Sequence, residues 1–236
     1  MDDLKYSVIE HNKMDDLKYS VIEHNIKFIK KIHKENSDMI ILLSTYNQKH
    51  FMLYGTLIHV SDKNSIDIMI FNDYPPTYYE SKYNIIMEII QENIKNKNVL
   101  LVGSSMSGTI VIKLGLELNL NVISNVPQLN YDITYKHAWD NLKDILKSFN
   151  DNNHINISNN YISKYSDTYD KKIIIIHGQH EMDIANIEYL KEELKLVTNN
   201  EIIEFVEVND KGHKWFLSME NENYLSILHV LKNNKR

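Results

Sequence analysis

One short stretch of the chain, residues 99–114, constrains the fold more than any other. Residues 99–102 form a continuous run of Val and Leu, which predicts a strand buried on both faces. A turn of glycine and serine follows at once over residues 103–108. Met106, Ile110 and Leu114 then recur at the spacing of one helix face. The stretch therefore predicts a strand that passes through a tight turn into a helix, with Ser105 at its apex.

A serine at such an apex is typical of a nucleophile elbow, the strained turn that exposes a reactive hydroxyl between a strand and a helix. The residues two positions away on each side must be small, and Gly103 and Ser107 meet this need, although glycine usually stands where Ser107 does. The helix N-terminus presents free N–H groups that suit a developing negative charge. The alternative is an ordinary turn, in which glycine supplies conformational freedom and Ser105 only caps the helix.

Composition excludes several classes of protein. The chain has 236 residues, of which 43% are hydrophobic and 25% charged, enough for one domain with a substantial core. A formal net charge of −6 favours neither nucleic acid nor an anionic membrane surface as a partner. The absence of cysteine excludes disulfides, thiol chemistry and thiolate metal sites. With no membrane-spanning apolar run and no secretion signal in the sequence, we expect a cytoplasmic protein.

The order of predicted elements indicates an α/β protein. Residues 1–12 recur unchanged as residues 14–25, so we expect residues 1–13 to be dispensable. Residues 19–32 alternate like a hairpin of edge strands. From residue 38 onward strands and helices alternate, which predicts a mainly parallel sheet wrapped by helices in a single domain over residues 1–236. The polar stretch 135–169 reads as a cap-like insertion. The predicted strands are 38–44, 66–71, 99–102, 122–126, 173–176 and 201–208, and the predicted helices are 80–95, 187–197 and 215–232.

Three candidate catalytic groups fall at the carboxyl ends of predicted strands, where such groups collect in parallel sheets. Ser105 follows the strand 99–102, carboxylates lie in the turn 177–183, and His213 lies in the loop before the last predicted helix. The order serine, acid, histidine is that of the α/β-hydrolase arrangement. The histidines of the turn 177–183 lack the spacing of a metal-binding motif, so we expect no metal.

From residue 38 to its C-terminus the chain resembles the α/β-hydrolase superfamily. The resemblance rests on the strand before Gly-x-Ser-x-small, the strand before His-Gly-x-x-acid, and the Gly-His before the final helix. It implies a three-layer fold with a mostly parallel central sheet flanked by helices, here with an N-terminal antiparallel edge hairpin. More weakly, residues 101–105 and the Asn-x-Pro-Gln of residues 125–128 resemble serine-dependent O-acetyltransferases of bacterial capsule polysaccharides.

The resemblance also implies roles for individual residues. Ser105 would be the nucleophile and His213 the general base that takes its proton. Glu181, three residues past Gly178, lies at the family offset of the acid, and Asp183 is the second candidate.

The remaining site residues follow from their positions next to these groups. The backbone N–H of Met106 would form one half of an oxyanion hole, and Thr45 or Tyr46 the other half. Candidates for substrate binding are Asn125, Gln128 and Trp139, although Asn125 and Gln128 would equally suit turn chemistry around Pro127.

These residues predict a serine-dependent acyl enzyme that acts on an ester or thioester through an acyl-serine intermediate. An esterase is the simplest form, and it needs no cofactor. An O-acetyltransferase that moves acetyl from acetyl-CoA, its co-substrate, to a capsular or surface glycan is the alternative. A non-catalytic binding protein of the same fold is the third reading. We expect a small-molecule ester or a glycan as the binding partner. Whether the chain forms a homo-oligomer is not determined by these residues.

Overall fold

A computed structural model describes residues 19–24, 26–33, 38–45, 51, 53–73, 77–149, 151–197, 201–214 and 216. Within this part of the chain one eight-stranded sheet runs through the molecule in the order β1-β2-β4-β3-β5-β6-β7-β8. The strands are β1 (Ser20–Glu23), β2 (Ile26–Lys31), β3 (Asp38–Leu43), β4 (Asp67–Phe71), β5 (Asn98–Ser104), β6 (Asn121–Asn125), β7 (Ile173–His177) and β8 (Ile203–Glu207).

The helices lie between these strands along the chain. They are α1 (Tyr54–Asn64), α2 (Tyr83–Asn93), α3 (Met106–Leu118), α4 (Tyr131–His137), α5 (Asp140–Lys147), α6 (Asn159–Ser163) and α7 (Glu181–Leu194). Short 3₁₀ turns cover Glu80–Lys82 and Asn152–Ile155. None of the helices in the described part of the chain combines the length and hydrophobicity needed to cross a bilayer.

The central strands are buried on both faces. Every residue of β4 and β6 is buried, and in β3 and β5 all but the first. Because consecutive side chains of a strand point to opposite faces, helices must cover both sides of this sheet. The prediction of a three-layer α/β fold with a mostly parallel sheet is confirmed.

The N-terminal hairpin is also present, with one difference in its position. β1 pairs antiparallel with β2, and β2 pairs antiparallel with β4. Of the two hairpin strands, only β1 therefore lies at an edge of the described sheet, because β2 has a partner on each side. The expectation about residues 1–13 lies outside the described residues, and so does the predicted helix 215–232.

Two helices differ from the sequence prediction. Helix α1 was not predicted, because its eleven residues carry a weak apolar stripe with only Leu57, Val60 and Ser61 buried. Helix α7 begins at Glu181, six residues before the predicted start at residue 187. Helices α4 to α6 occupy the region between β6 and β7. The interpretation of residues 135–169 as a cap stays a prediction.

The order of the strands determines where a site forms. The chain leaves β3 toward β4 on one side and then returns to β5 on the other side. The carboxyl ends of β3 and β5 thus flank a topological switch point, the usual position of a crevice in open parallel sheets. Ser105 follows β5 directly at this point.

Candidate active site

Ser105 occupies a strained turn between β5 and α3. Its backbone has φ 54° and ψ −117°, a conformation that residues with a side chain rarely adopt. Its N–H donates to the carbonyl of Asn125 at 2.8 Å, and its own carbonyl accepts the N–H of Gly108 at 3.0 Å. Only 8% of the residue is exposed. The surrounding hydrogen bonds therefore hold the strained backbone in place.

The small residues on either side of Ser105 have different physical roles. A Cβ at Gly103 would lie 2.5 Å from the carbonyl oxygen of Ser107, so strand and helix could not approach this closely with any other residue there. Ser107, where glycine is usual, has a specific use for its side chain. Its Oγ donates to the carbonyl of Leu43 at 2.8 Å and accepts the N–H of Ser104 at 3.0 Å. The hydroxyl thus ties the elbow to the end of β3.

The loop after β8 carries His213 and is organised around Asp210. The Gly212 N–H donates to Asp210 Oδ1 at 2.8 Å, and Lys214 pairs with the same carboxylate at 2.6 Å. These two contacts hold the pKa of the Asp210 carboxyl below its ordinary value. The Asp210 carbonyl accepts the N–H of Gln179 at 2.6 Å, which fastens the loop to the turn after β7.

Asn125, the last residue of β6, ties the other end of this loop to the elbow. Its Nδ2 donates to the carbonyl of Lys214 at 3.0 Å and to Ser104 Oγ at 2.8 Å, and its Oδ1 accepts the N–H of Phe216 at 3.0 Å. The residue is wholly buried. Both ends of its amide bind protein groups behind His213, which favours the structural alternative for Asn125, and its contact with substrate stays a prediction.

Ser105, His213 and Asp183 form a continuous hydrogen-bonded series. Ser105 Oγ lies 2.9 Å from Nε2 of His213, and Nδ1 of His213 lies 2.5 Å from Oδ1 of Asp183. Asp183 is 1% exposed, and its Oδ2 has no hydrogen-bond partner among the described residues. The imidazole thus has a hydroxyl on one nitrogen and a buried carboxylate on the other.

The sequence preference for Glu181 over Asp183 is corrected by this geometry. The Glu181 side chain is 74% exposed, and its carboxylate lies 3.5 Å from His137 on the surface. Glu181 is the first residue of α7, after the cap His180, and it points outward from the helix. Asp183 lies on the opposite, buried face and reaches His213.

A signal for Asp183 was present in the sequence. Asp183, Asn186, Ile187 and Leu190 follow the spacing of one helix face, and all four are buried. The predicted helix starts at residue 187, which leaves residues 181–186 in a turn outside its periodic face. Had the helix been extended back to Glu181, the buried face would have selected Asp183.

Gln128 also contacts the serine. Its Nε2 donates to Ser105 Oγ at 3.0 Å, and its Oε1 accepts the hydroxyl of Tyr78. Its backbone carbonyl accepts the hydroxyl of Thr109 at 2.5 Å. Gln128 is a predicted residue for substrate binding, and no pattern in the sequence indicates its contacts with Ser105 and Tyr78.

The aromatic candidate and the oxyanion candidates lie around this series. Trp139 is 40% exposed, and the centre of its ring is 5.8 Å from that of His213. Met106 follows Ser105 as the first residue of α3. Leu42 pairs with Val102, so Thr45 lies at the same end of the sheet as Ser105. The Oγ1 of Thr45 is buried without a hydrogen-bond partner among the described residues. Tyr46 lies outside the described residues.

One group of side chains in the described region has the composition of a metal site. His180, Asp183 and His213 each offer a ligand atom, and these atoms lie within 4.8 Å of one another. However, Nδ1 of His213 already contacts Asp183, and Nδ1 of His180 accepts the N–H of Met182 at 3.2 Å. Nε2 of His213 also lies 2.9 Å from Ser105 Oγ, so a cation bound by His213 would compete with one of the two contacts of its ring. The absence of a metal stays a prediction.

Comparison with known proteins adds information about the fold. No protein-family model matches the chain, and no curated protein matches its sequence. A capsule O-acetyltransferase of Neisseria meningitidis serogroup A is 19% identical, with a TM-score of 0.68 over 91% of this chain and 94% of that one. A fluorophosphonate-binding serine hydrolase of Staphylococcus aureus is 11% identical, with a TM-score of 0.62 over 90% of this chain and 96% of that one.

A third similar structure comes from an archaeon. An esterase of Pyrococcus furiosus is 14% identical, with a TM-score of 0.60 over 91% of this chain and 89% of that one. These proteins share the layered architecture and span nearly the same length. The resemblance inferred from the sequence motifs is thus confirmed at the level of the fold, and the protein has the α/β-hydrolase fold.

Proposed function

We propose that this protein is a serine-dependent acyl enzyme in which Ser105, His213 and Asp183 form a catalytic triad. The observation that carries the proposal is the unbroken series of contacts from Ser105 Oγ to His213 Nε2 at 2.9 Å and from His213 Nδ1 to Asp183 at 2.5 Å. The strained backbone of Ser105 at the end of β5 supports it, because nucleophile elbows store such strain.

The chemistry follows from the two contacts of the imidazole. Ser105 Oγ attacks the carbonyl carbon of an ester or thioester and gives its proton to His213 Nε2. Asp183 accepts the Nδ1–H, which holds the neutral imidazole in the tautomer whose Nε2 can take a proton. The same carboxylate stabilises the imidazolium that results. His213 then donates the proton to the leaving group, and an acyl-Ser105 intermediate remains.

The negative charge on the carbonyl oxygen needs hydrogen-bond donors at the elbow. The N–H of Met106, at the start of α3, is the first candidate. The N–H of Thr45 or Tyr46, in the chain after β3, is the second. Losing one such donor typically costs about 2.7–4 kcal/mol of transition-state stabilisation.

The group that accepts the acyl chain from Ser105 determines the reaction. If water is the acceptor, the protein is an esterase. The Trp139 ring is partly exposed beside His213, where an incoming acceptor would be activated. A sugar hydroxyl in place of water would make it an O-acetyltransferase with acetyl-CoA as donor. The similarity to a capsule O-acetyltransferase of Neisseria meningitidis, with a TM-score of 0.68, favours this second candidate.

A fluorophosphonate probe tests whether Ser105 is a nucleophile. We expect the probe to label the wild-type protein and not Ser105→Ala. Ser104→Ala is a matched control, because Ser104 is adjacent and buried but its Oγ accepts from Asn125 rather than contacting His213. Failure to label a folded wild-type protein would refute the proposal and favour the non-catalytic reading.

A second assay separates the two candidate reactions. Consumption of acetyl-CoA is measured with and without capsular polysaccharide, next to hydrolysis of p-nitrophenyl acetate. An esterase hydrolyses the small ester and gains nothing from the glycan. Strong stimulation of acetyl-CoA turnover by the glycan, with acetyl found on the sugar, would identify the transferase.

A further inference from the structure

Gln128 is placed to act on the reacting oxygen itself. It lies three residues beyond the end of β6 and is wholly buried. Its Nε2 is 3.0 Å from Ser105 Oγ, which is also 2.9 Å from His213 Nε2. The hydroxyl therefore has two nitrogen neighbours at similar distances, and only one of them can receive its single proton.

The contacts of Gln128 on the side away from Ser105 determine which end of its amide faces the serine. Oε1 accepts the hydroxyl of Tyr78, and Tyr78 is wholly buried. Burial raises the pKa of Tyr78 well above its ordinary value, so this hydroxyl keeps its proton and remains a donor. If the amide turned over, Oε1 would face Ser105 and the buried Tyr78 hydroxyl would lose the acceptor of its proton. The Tyr78 donor therefore favours the orientation in which Nε2 points at the nucleophile.

Tyr78 is itself held by neighbouring groups. Its carbonyl accepts from Nε2 of His154 at 2.8 Å, and its ring meets that of Phe149 edge to face at 5.0 Å. The carbonyl of His154 accepts from Nζ of Lys113 at 2.7 Å. A well-ordered support of this kind is typical of functional side chains that must keep one orientation.

We propose that Gln128 is a catalytic residue whose Nε2–H donates to Ser105 Oγ, directs the hydroxyl proton toward His213 and stabilises negative charge on Oγ. The proposal rests on the proposed function. In acylation, Oγ loses its proton to His213 Nε2 as the bond from Oγ to the acyl carbon forms. In deacylation the acceptor hydroxyl gives its proton to His213 Nε2 as its oxygen bonds to the acyl carbon. The bond from Oγ to that carbon then breaks, its electron pair returns to Oγ, and Oγ takes the proton from His213. Oγ carries partial negative charge in both steps, and the Gln128 hydrogen bond is strongest there.

Gln128→Met tests the donor, because methionine has a similar length and cannot donate. We expect kcat for p-nitrophenyl acetate to fall about 10- to 100-fold with KM nearly unchanged, the range for losing one hydrogen bond to a charged group. Gln179→Met is the matched control, since within the described part of the chain the Gln179 side chain hydrogen-bonds Glu207 and not Ser105 or His213, and it should keep the wild-type rate. A Gln128→Met protein that folds and keeps the wild-type kcat would overturn the proposal.

Gln128→Glu gives a readout that a purely structural residue would not produce. An ionised carboxylate accepts rather than donates, so it competes with His213 for the Ser105 proton. The protonated carboxyl can donate in place of the amide. We expect the ratio of variant to wild-type kcat to rise as pH falls through the titration of this carboxyl. A ratio that stays constant with pH, at an unchanged melting temperature, would refute the donor role.

Tyr78→Phe tests the orientation of the amide if Gln128 variants fold poorly. It releases Oε1 but leaves Ser105 untouched, and we expect kcat to fall about 3- to 10-fold. In the Gln128→Met background the same change should have no further effect on kcat, because the two act as one unit. Equal effects of Tyr78→Phe in both backgrounds would contradict the proposal.

The proposed function and the role of Gln128 can fail separately. If the folded wild-type protein neither reacts with fluorophosphonate nor turns over ester, the proposed function fails. If the wild-type protein is active and the Gln128 and Tyr78 variants have the same kcat, only the role of Gln128 fails.

Discussion

Asp183→Asn should separate catalysis from stability at the candidate triad. The carboxylate contributes a hydrogen bond of 2.5 Å to His213 Nδ1 and a negative charge that stabilises the imidazolium. Whichever way the amide sits, that charge is lost. If the NH₂ group faces Nδ1, the imidazole proton moves to Nε2, and His213 cannot accept the proton of Ser105.

The expected magnitudes differ for the two quantities. We expect kcat/KM to fall by about 10³- to 10⁴-fold, which corresponds to about 4–5.5 kcal/mol of activation free energy. The free energy of unfolding should change by no more than about 1 kcal/mol. The reason is that Asp183 is 1% exposed with Oδ2 unpartnered among the described residues, so the substitution also removes a poorly compensated buried charge.

The assay uses initial rates of p-nitrophenyl acetate hydrolysis, the rate of fluorophosphonate labelling, and urea unfolding of the same preparations. Glu181→Gln is the matched control. Its side chain is 74% exposed, and we expect less than about a twofold change in rate. If Asp183→Asn keeps more than about a tenth of the wild-type kcat/KM, or if Glu181→Gln loses activity instead, the assignment of the acid is wrong.

Three further predictions follow from the packing around the site. Asn125→Ala removes the hydrogen bonds to the loop that carries His213, so urea unfolding should show a loss of about 1–3 kcal/mol and kcat should fall at least about tenfold. Ser107→Gly restores the usual elbow pattern but deprives the buried Leu43 carbonyl of its donor, so it should destabilise the protein by about 1–3 kcal/mol in the same assay. Burial lowers the pKa of His154, so the unfolded chain binds a proton at this imidazole more readily than the folded protein does. The free energy of unfolding therefore falls as the pH drops below about 6.5. His154→Gln should reduce the loss of melting temperature between pH 6.5 and pH 5.

Each of these has a contrary outcome that is easily recognised. Asn125→Ala with unchanged kcat would mean that the loop keeps its position without the amide. Ser107→Gly with wild-type or greater stability would mean that the hydroxyl only fills space. Parallel melting curves for the wild type and His154→Gln across the acid range would mean that His154 titrates alike in the folded and unfolded chains.

Much of the fold follows from local sequence pattern. The strands β3, β4, β5 and β7 each contain a run of at least four apolar residues. In β3 to β5 these runs lie where both faces of the strand are buried. The N-terminal hairpin follows from alternation around residue 25. Helix α1 shows the limit of this approach, because a short helix with few buried residues leaves little periodic signal.

Only part of the candidate site could be predicted from the sequence. Ser105 and His213 were predicted because Gly103 lies two residues before Ser105 and Gly212 directly precedes His213, both in turns that follow predicted strands. For the acid, the sequence motif favoured Glu181, whereas the helical spacing of residues 183–190 places Asp183 on the buried face. The packing of α7 beside the sheet then brings the Asp183 carboxylate within hydrogen-bonding distance of the His213 imidazole.

The sequence by itself determined the alternation of strands and helices, the elbow at Ser105 and the order of the candidate groups, because these depend on neighbours along the chain. The tertiary structure decided that Asp183 meets His213, that Asn125 binds behind it, and that Gln128 contacts Ser105 while Tyr78 orients its amide. Those contacts join residues far apart in sequence, and the direction of each side chain depends on how strands and helices pack. Sequence spacing can place a residue on a buried helix face, as it does for Asp183, but it does not say which distant side chain that residue meets.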